Sequence, residues 1–330
     1  MLAVFLTIVL FLNSMSYRIG SFNMFKYQAY RSDDENRKDI GLIARIINDQ
    51  QFDIVGIQEI FSKTAMDILL KYLGPYWEGR WDEPYYASSS AKEGYAFIWN
   101  KRRFKLASTT LEEGGTRVYE PRIFYQYKLD CNIWQEKLVR DPYYGRFEPV
   151  NGPFCEFRLI NAHIMFSRSS NHGDDNPLGN ILMRRNEHKI LSEALYPKIS
   201  DRVYGNNRPG YTILLGDYNL NHPASNVYGA WLQEVFIVND GRVTKRIETV
   251  QTQLTTLRTP PSDSSKDYSG EEIWANNYDH FTFDANRFEG IGMNASRVNS
   301  VDYCKDYKDH RRIISDHVPV KLDIDLRNNR

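Results

Sequence analysis

The chain repeatedly sets an amide, a carboxylate or an imidazole at the end of a short apolar run, and this pattern limits its possible folds more than any other feature. Asn23 closes RIGSFN, Gln58 and Glu59 follow FDIVGI, and His163 lies within LINAHIMF. Asp217 and Asn219 follow TILLG, Asp279 precedes HFTF, and Asp316 and His317 precede VPVKL. Short apolar runs bounded in this way read as strands buried in a core. Strand ends at one edge of a sheet can converge on a single cleft.

Between the strands, apolar residues recur at helical spacing. Ile40, Ile43, Ala44, Ile46 and Ile47 predict a helix over Asp39–Asn48. Met66, Leu69 and Leu70 predict a second over Thr64–Tyr72, stopped by Gly74-Pro75, and Ile190, Leu191, Ala194 and Leu195 predict a third over 184–200. Strands are expected at 17–24, 52–58, 95–100, 122–130, 157–166, 211–219, 280–284 and 318–326, with a loop-rich stretch from about 220 to 275. Two strand-rich halves, each with its own helices, predict an α/β fold of two sheets packed face to face with helices outside. No linker divides the chain, so residues 17–330 are expected to form one domain.

Lys plus Arg and Asp plus Glu are equal at 42 each, so no global basic field draws the protein to nucleic acid, and any attraction must be local. Cys131, Cys155 and Cys304 are too few and too scattered for a disulfide framework or a zinc site. They leave one Cys131–Cys155 bridge or buried free thiols as the alternatives. Leu2–Leu12 is apolar apart from Thr7, and too short to span a bilayer, so no stable membrane anchor is expected. Residues 1–16 read either as a signal peptide, giving a secreted protein, or as an untranslated stretch before a start at Met15, giving a cytoplasmic one.

Carboxylate, amide and imidazole together are what phosphate cleavage requires. A hard divalent cation takes oxygen ligands, usually one or two carboxylates plus water and phosphate. A histidine held by a carboxylate can move a proton near neutral pH. Each group alone has a plainer explanation: a turn at Asp217–Asn219, a solvated Gln58-Glu59 pair, a core histidine at His163.

Taken together and in order, SFNM (21–24), DIVGIQEI (53–60), KEGYAFIWN (92–100), NAHIMF (161–166), LLGDYNL (214–220), NYDHF (277–281) and SDHVPV (315–320) resemble the DNase I-like endonuclease/exonuclease/phosphatase superfamily. The resemblance implies a four-layered αββα sandwich of two mainly antiparallel sheets with outer helices. It implies a metal side of Glu59, Asn23 and Asp316, and a pair, Asp217 and Asn219, that orients the phosphate and the attacking water. His317 corresponds to the general base, held by Asp279. His163 with Glu93 resembles the second pair found in DNase I and the cytolethal-distending-toxin nuclease subunit, where the histidine protonates the leaving 3′ oxygen. Arg140, in LVRDPYYGRF, matches a phosphate-contacting arginine of that subset, and the neighbouring Tyr143, Tyr144 and Phe147 face either nucleic acid or the core. Mg²⁺, with Mn²⁺ as a substitute and Ca²⁺ at structural positions, a DNA substrate and a monomeric state are the corresponding expectations. The alternative substrates are sphingomyelin, a phosphoinositide or another phosphoester. Two positions depart from DNase I, because Phe61 and Ala91 stand where its groove-contacting arginine and tyrosine would be.

Overall fold

A computed structural model describes residues 15–28, 37–82, 93–107, 126–128, 135–166, 177–204, 207–222, 234–251, 253–262 and 267–328. The apolar run 2–12, Ala91 and Cys131 lie outside them. The strands are β1 (Ser16–Tyr27), β2 (Ile54–Ile60), β3 (Trp77–Asp82), β4 (Gly94–Asn100), β5 (Phe104–Leu106), β6 (Gln126–Lys128), β7 (Gln135–Lys137), β8 (Tyr143–Pro149), β9 (Glu156–His163), β10 (Gly210–Asp217), β11 (Glu234–Asn239), β12 (Arg242–Val250), β13 (Asp279–Asp284), β14 (Gly292–Arg297) and β15 (Val320–Asp325). The α-helices are α1 (Ile40–Asp49), α2 (Lys63–Leu73), α3 (Pro177–Lys189), α4 (Tyr196–Ser200) and α5 (Tyr307–Ile313).

Six strands form one sheet in the order β14-β15-β1-β2-β4-β3, and seven form another in the order β11-β12-β13-β10-β9-β8-β5; β6 and β7 pair separately. One parallel ladder lies inside each large sheet, β1 with β2 and β9 with β10. The remaining ladders are antiparallel. Three apolar cores separate four layers. Ile19, Phe97, Phe157, Leu215 and Phe281 fill the space between the sheets. Ile43, Ile47 and Leu69 of α1 and α2 pack on Phe22, Ile57 and Ile98. On the other side Leu195, Tyr196 and Ile199 cover Ile160 and Leu214. The central strands are therefore buried on both faces, which is why they read as unbroken apolar runs rather than alternating ones.

Local chemistry sets the helix ends. The Asp39 carboxylate caps α1 by accepting from the Leu42 N–H, and Ser62 caps α2 by accepting from Ala65. Gly74, at φ 95°, stops α2. The third expected helix begins earlier, at Pro177, and passes through a π-helical turn (Ile190–Leu195) into α4.

The region expected to be loops contains the β11–β12 hairpin, and β14 and α5 were likewise not foreseen. The hairpin pairs with β13 only through Ile247–Val250, so most of its residues are exposed and carry no burial pattern. Phe236, Val238 and Val243 stand exposed there, at the end remote from Asp279. Tyr143, Tyr144 and Phe147 are buried core residues, so they do not face a substrate. Cys155 is a buried free thiol. No described helix is long and apolar enough to cross a membrane.

Candidate active site

Strand direction explains why the polar groups meet. β1, β2, β9 and β10 run parallel within their pairs, so Asn23, Glu59, His163 and Asp217 arrive at C-terminal ends. β15, β4, β13 and β8 run antiparallel to them, so the residues at or just before their starts, His317, Glu93, Asp279 and Arg140, lie at the same edge. With Asn219 and Asp316, which adjoin Asp217 and His317 along the chain, ten residues expected from the sequence are brought to one end of the sandwich.

Asp217 is the hub. Its Oδ2 accepts from Asn23 Nδ2 at 2.9 Å and lies 3.5 Å from Nε2 of both His163 and His317. Its Oδ1 accepts from the Asn219 N–H at 2.8 Å. The preceding residue must be glycine: Gly216 sits at φ 143°, and a Cβ there would lie 1.8 Å from the Ala162 carbonyl oxygen. Burial raises the Asp217 pKa, against the pull of His317 and His163.

Two histidine–carboxylate pairs flank this hub. His317 Nδ1 donates to Asp279 Oδ2 at 2.8 Å, and the same oxygen accepts from Thr255 Oγ1 at 2.6 Å. Burial depresses the His317 pKa, but Asp279, Asp217 and Asp316 outweigh it and hold the imidazole well above its usual value. His163 Nδ1 meets Glu93 Oε1, and Arg140 Nη2 grips the other Glu93 oxygen at 2.7 Å. Burial, reinforced by Arg140, lowers the His163 pKa to about 4; burial raises Glu93 to about 7 against the attraction of Arg140.

The hydrogen bonds assign the tautomer of His163. Asn219 Nδ2 donates to the Ile164 carbonyl at 2.8 Å, which fixes the amide orientation, and directs its second N–H at His163 Nε2, 3.2 Å away. Nε2 is therefore an acceptor, and the ring proton sits on Nδ1 facing Glu93.

Glu59 and Asp316 form the cation side. Glu59 has φ 58°, between bulges in β1 and β2, and accepts from Asn23 Nδ2 and the Lys26 N–H, each at 3.0 Å. Strained backbone at a cleft is typical of functional positions. Asp316 Oδ1 is buried with no hydrogen-bond partner among the described residues. No group of three or more Asp, Glu, His or Cys among the described residues forms a ready cage. Hard carboxylate oxygens, one of them unsatisfied, nevertheless fit a cation that takes one or two protein ligands and keeps its remaining waters. Asn23 stands beside this side: its amide nitrogen donates to Glu59, and its Oδ1 accepts from the Phe25 N–H at 2.9 Å and keeps a second lone pair.

Several members were not singled out from the sequence. Asn161, buried between the sheets, accepts from Gln58 Nε2 at 2.7 Å and donates to the carbonyls of Ile57 and Ala96, tying the ends of β2 and β9 together. Thr255 orients Asp279 from the stretch expected to be loop. Lys38 is buried beside Asp316 and Glu59, and burial lowers it to about 8 against their fields. Asn161 stands two residues before His163 in NAHIMF, which was the one available signal; Thr255 and Lys38 carried none.

Comparison with known proteins agrees with this fold. An Endonuclease/Exonuclease/phosphatase family profile matches residues 20–317. An endonuclease/exonuclease/phosphatase family protein from Bacteroides thetaiotaomicron superposes with a TM-score of 0.53 at 15% identity, covering 94% of this chain and 97% of that one. A mannosyl-6-phosphatase from the same organism gives 0.53 at 14% identity, covering 93% and 99%. A humanized TDP2 from D. rerio gives 0.51 at 11% identity, covering 94% and 99%. A search of curated proteins finds no match. The family profile spans most of the chain and the folds agree: this chain belongs to the endonuclease/exonuclease/phosphatase family.

Proposed function

We propose that the protein is a metal-dependent phosphodiesterase that cuts nucleic acid, most simply DNA, as an endonuclease of the DNase I type. The observation that carries this reading is the second histidine–carboxylate pair, His163 with Glu93, facing the first across Asp217. Cleaving a diester with a poor leaving group requires one group to take a proton and another to give one.

Near neutral pH His317 holds a proton and His163 does not, which favours His317 as the donor and His163, whose Nε2 is an acceptor, as the group that takes one. This is the reverse of the division the family resemblance implies. Arg140 holds Glu93 in place through Nη2 and donates from Nη1 to the His163 carbonyl at 3.4 Å, so a fixed guanidinium charge stands beside the cleft where phosphate oxygens would lie. Asp217, fixed by Asn219 and Asn23, orients the attacking water. Mg²⁺ held by Glu59 and Asp316 would supply positive charge to the phosphoryl oxygens.

The lipid alternative draws no support from the apolar residues exposed on the β11–β12 hairpin, because Phe236, Val238 and Val243 lie at the opposite end from the cleft. A phosphomonoester, such as the sugar phosphate named for one structural neighbour, is the other outcome a test must separate.

Supercoiled plasmid with Mg²⁺, with and without chelator, run beside phosphate release from sugar phosphates and phosphoinositides, separates these readings. Metal-dependent nicking that disappears in His163→Ala supports the nuclease. Phosphate release without nicking overturns it. Bis(p-nitrophenyl) phosphate, whose leaving group needs no proton, divides the roles of the histidines. His317→Gln should keep far more of its activity on that substrate than on DNA, whereas His163→Gln should lose both equally; the opposite pattern restores the division the family resemblance implies.

A further inference from the structure

One charged side chain near the cleft has no place in the machinery above. Arg184 projects from α3 and is only 7% exposed, and its Nε and Nη1 have no hydrogen-bond partner among the described residues. Its guanidinium lies 4.4 Å from the Phe166 ring centroid and interacts electrostatically with the Tyr278 hydroxyl and the Asp217 carboxylate. The rings of Phe166 and Tyr278 are 6.5 Å apart. Phe166 follows the His163 end of β9, and Tyr278 immediately precedes Asp279, so both stand at the active edge. Phe166 is 54% exposed, with the guanidinium stacked against it.

A buried guanidinium with unmatched N–H groups is costly unless something from outside completes it. Phosphate oxygens do so well, because the planar fork fits them. An exposed phenyl ring beside a cation is a platform for a flat base, which stacks without regard to sequence. The three groups therefore combine an anion site and an aromatic face, next to Asp217 but outside the proton-transfer pairs.

We propose that Arg184, Tyr278 and Phe166 form a subsite for the nucleotide flanking the cleaved bond. A phosphate accepts from the Arg184 guanidinium and the Tyr278 hydroxyl, and the base stacks on Phe166. The assignment rests on the nuclease reading and deepens it.

The test compares kcat/KM on a short oligonucleotide with that on bis(p-nitrophenyl) phosphate, which has no flanking nucleotide. In Phe166→Ala the ratio should fall about tenfold, the effect of one lost base stack, mainly through KM on the oligonucleotide, and Phe166→Trp should restore it. In Arg184→Met the ratio should also fall. The slope of log KM for the oligonucleotide against log salt should then become shallower by about 0.7–0.9, as expected for one lost phosphate contact. A role confined to packing would not move that slope. If the wild type cuts the oligonucleotide and Phe166→Ala leaves the ratio unchanged, the subsite is wrong and the nuclease reading stands. If the wild type hydrolyses bis(p-nitrophenyl) phosphate but no nucleic acid, the nuclease reading fails and takes the subsite with it.

Discussion

Single residues in the cleft are held by contacts whose removal has a definite sign. Asn219 offers His163 Nε2 an N–H while its amide is locked on the Ile164 carbonyl. Asn219→Asp replaces that donor with a negative charge, so the His163 pKa should climb from about 4 and the acid limb of the rate profile should move to higher pH. Titration of the His163 ring by NMR checks this, and a value that stays near 4 contradicts the assigned tautomer. Gly216 has no room for a methyl group against the Ala162 carbonyl. Gly216→Ala should cost about 2–5 kcal/mol in urea unfolding, from positive-φ strain and overpacking together; an unchanged midpoint would contradict the close approach. Both residues belong to LLGDYNL and were legible as a motif. The reason each type is required, a backbone clash in one case and an amide orientation in the other, comes from Ala162 in β9 and Ile164 just after it, far earlier in the chain.

At the scale of elements, α5 was not foreseen, yet it supports the cleft. Its His310 is fully buried, with Nδ1 on the Ser315 carbonyl at 2.7 Å and Nε2 on Ser300 Oγ at 2.8 Å. Ser315 in turn bonds the Asn23 carbonyl and receives the His317 N–H. Burial lowers the His310 pKa from 6.5 to about 4. Between those values the unfolded chain binds a proton that the folded one does not, so this residue's contribution to stability is present above pH 6.5 and declines as pH falls to about 4. His310→Gln should therefore flatten the fall in Tm over that interval relative to wild type, as read by calorimetry; parallel curves would remove His310 as a source of the dependence. The elements legible in advance, β1, β2, β4, β9, β10, β13, β15, α1 and α2, share continuous apolar runs or clean helical spacing. The β11–β12 hairpin and α5 bury too few side chains to leave such a pattern.

For the whole molecule, the sandwich brings Glu59 from one sheet and Asp217 from the other to a common hub through Asn23. A cation bound only by the folded arrangement must stabilise it. Mg²⁺ at about a hundred times its Kd should add about 2.7 kcal/mol, and chelator should remove it. Thermal unfolding measures the gain, which should vanish in Glu59→Gln and Asp316→Asn; a gain that survives both substitutions moves the cation elsewhere.

The sequence by itself determined which chemical groups stand at the ends of the strands, because burial on both faces forces those strands to be apolar up to the point where they leave the core. It could not determine the proton positions, the Arg140–Glu93 grip, or the presence of Lys38 and Arg184 at the cleft. Those depend on which strands run parallel, on two sheets meeting through Gln58 and Asn161, and on a helix packed outside. All of these are contacts between residues far apart along the chain, decided only when the layers close.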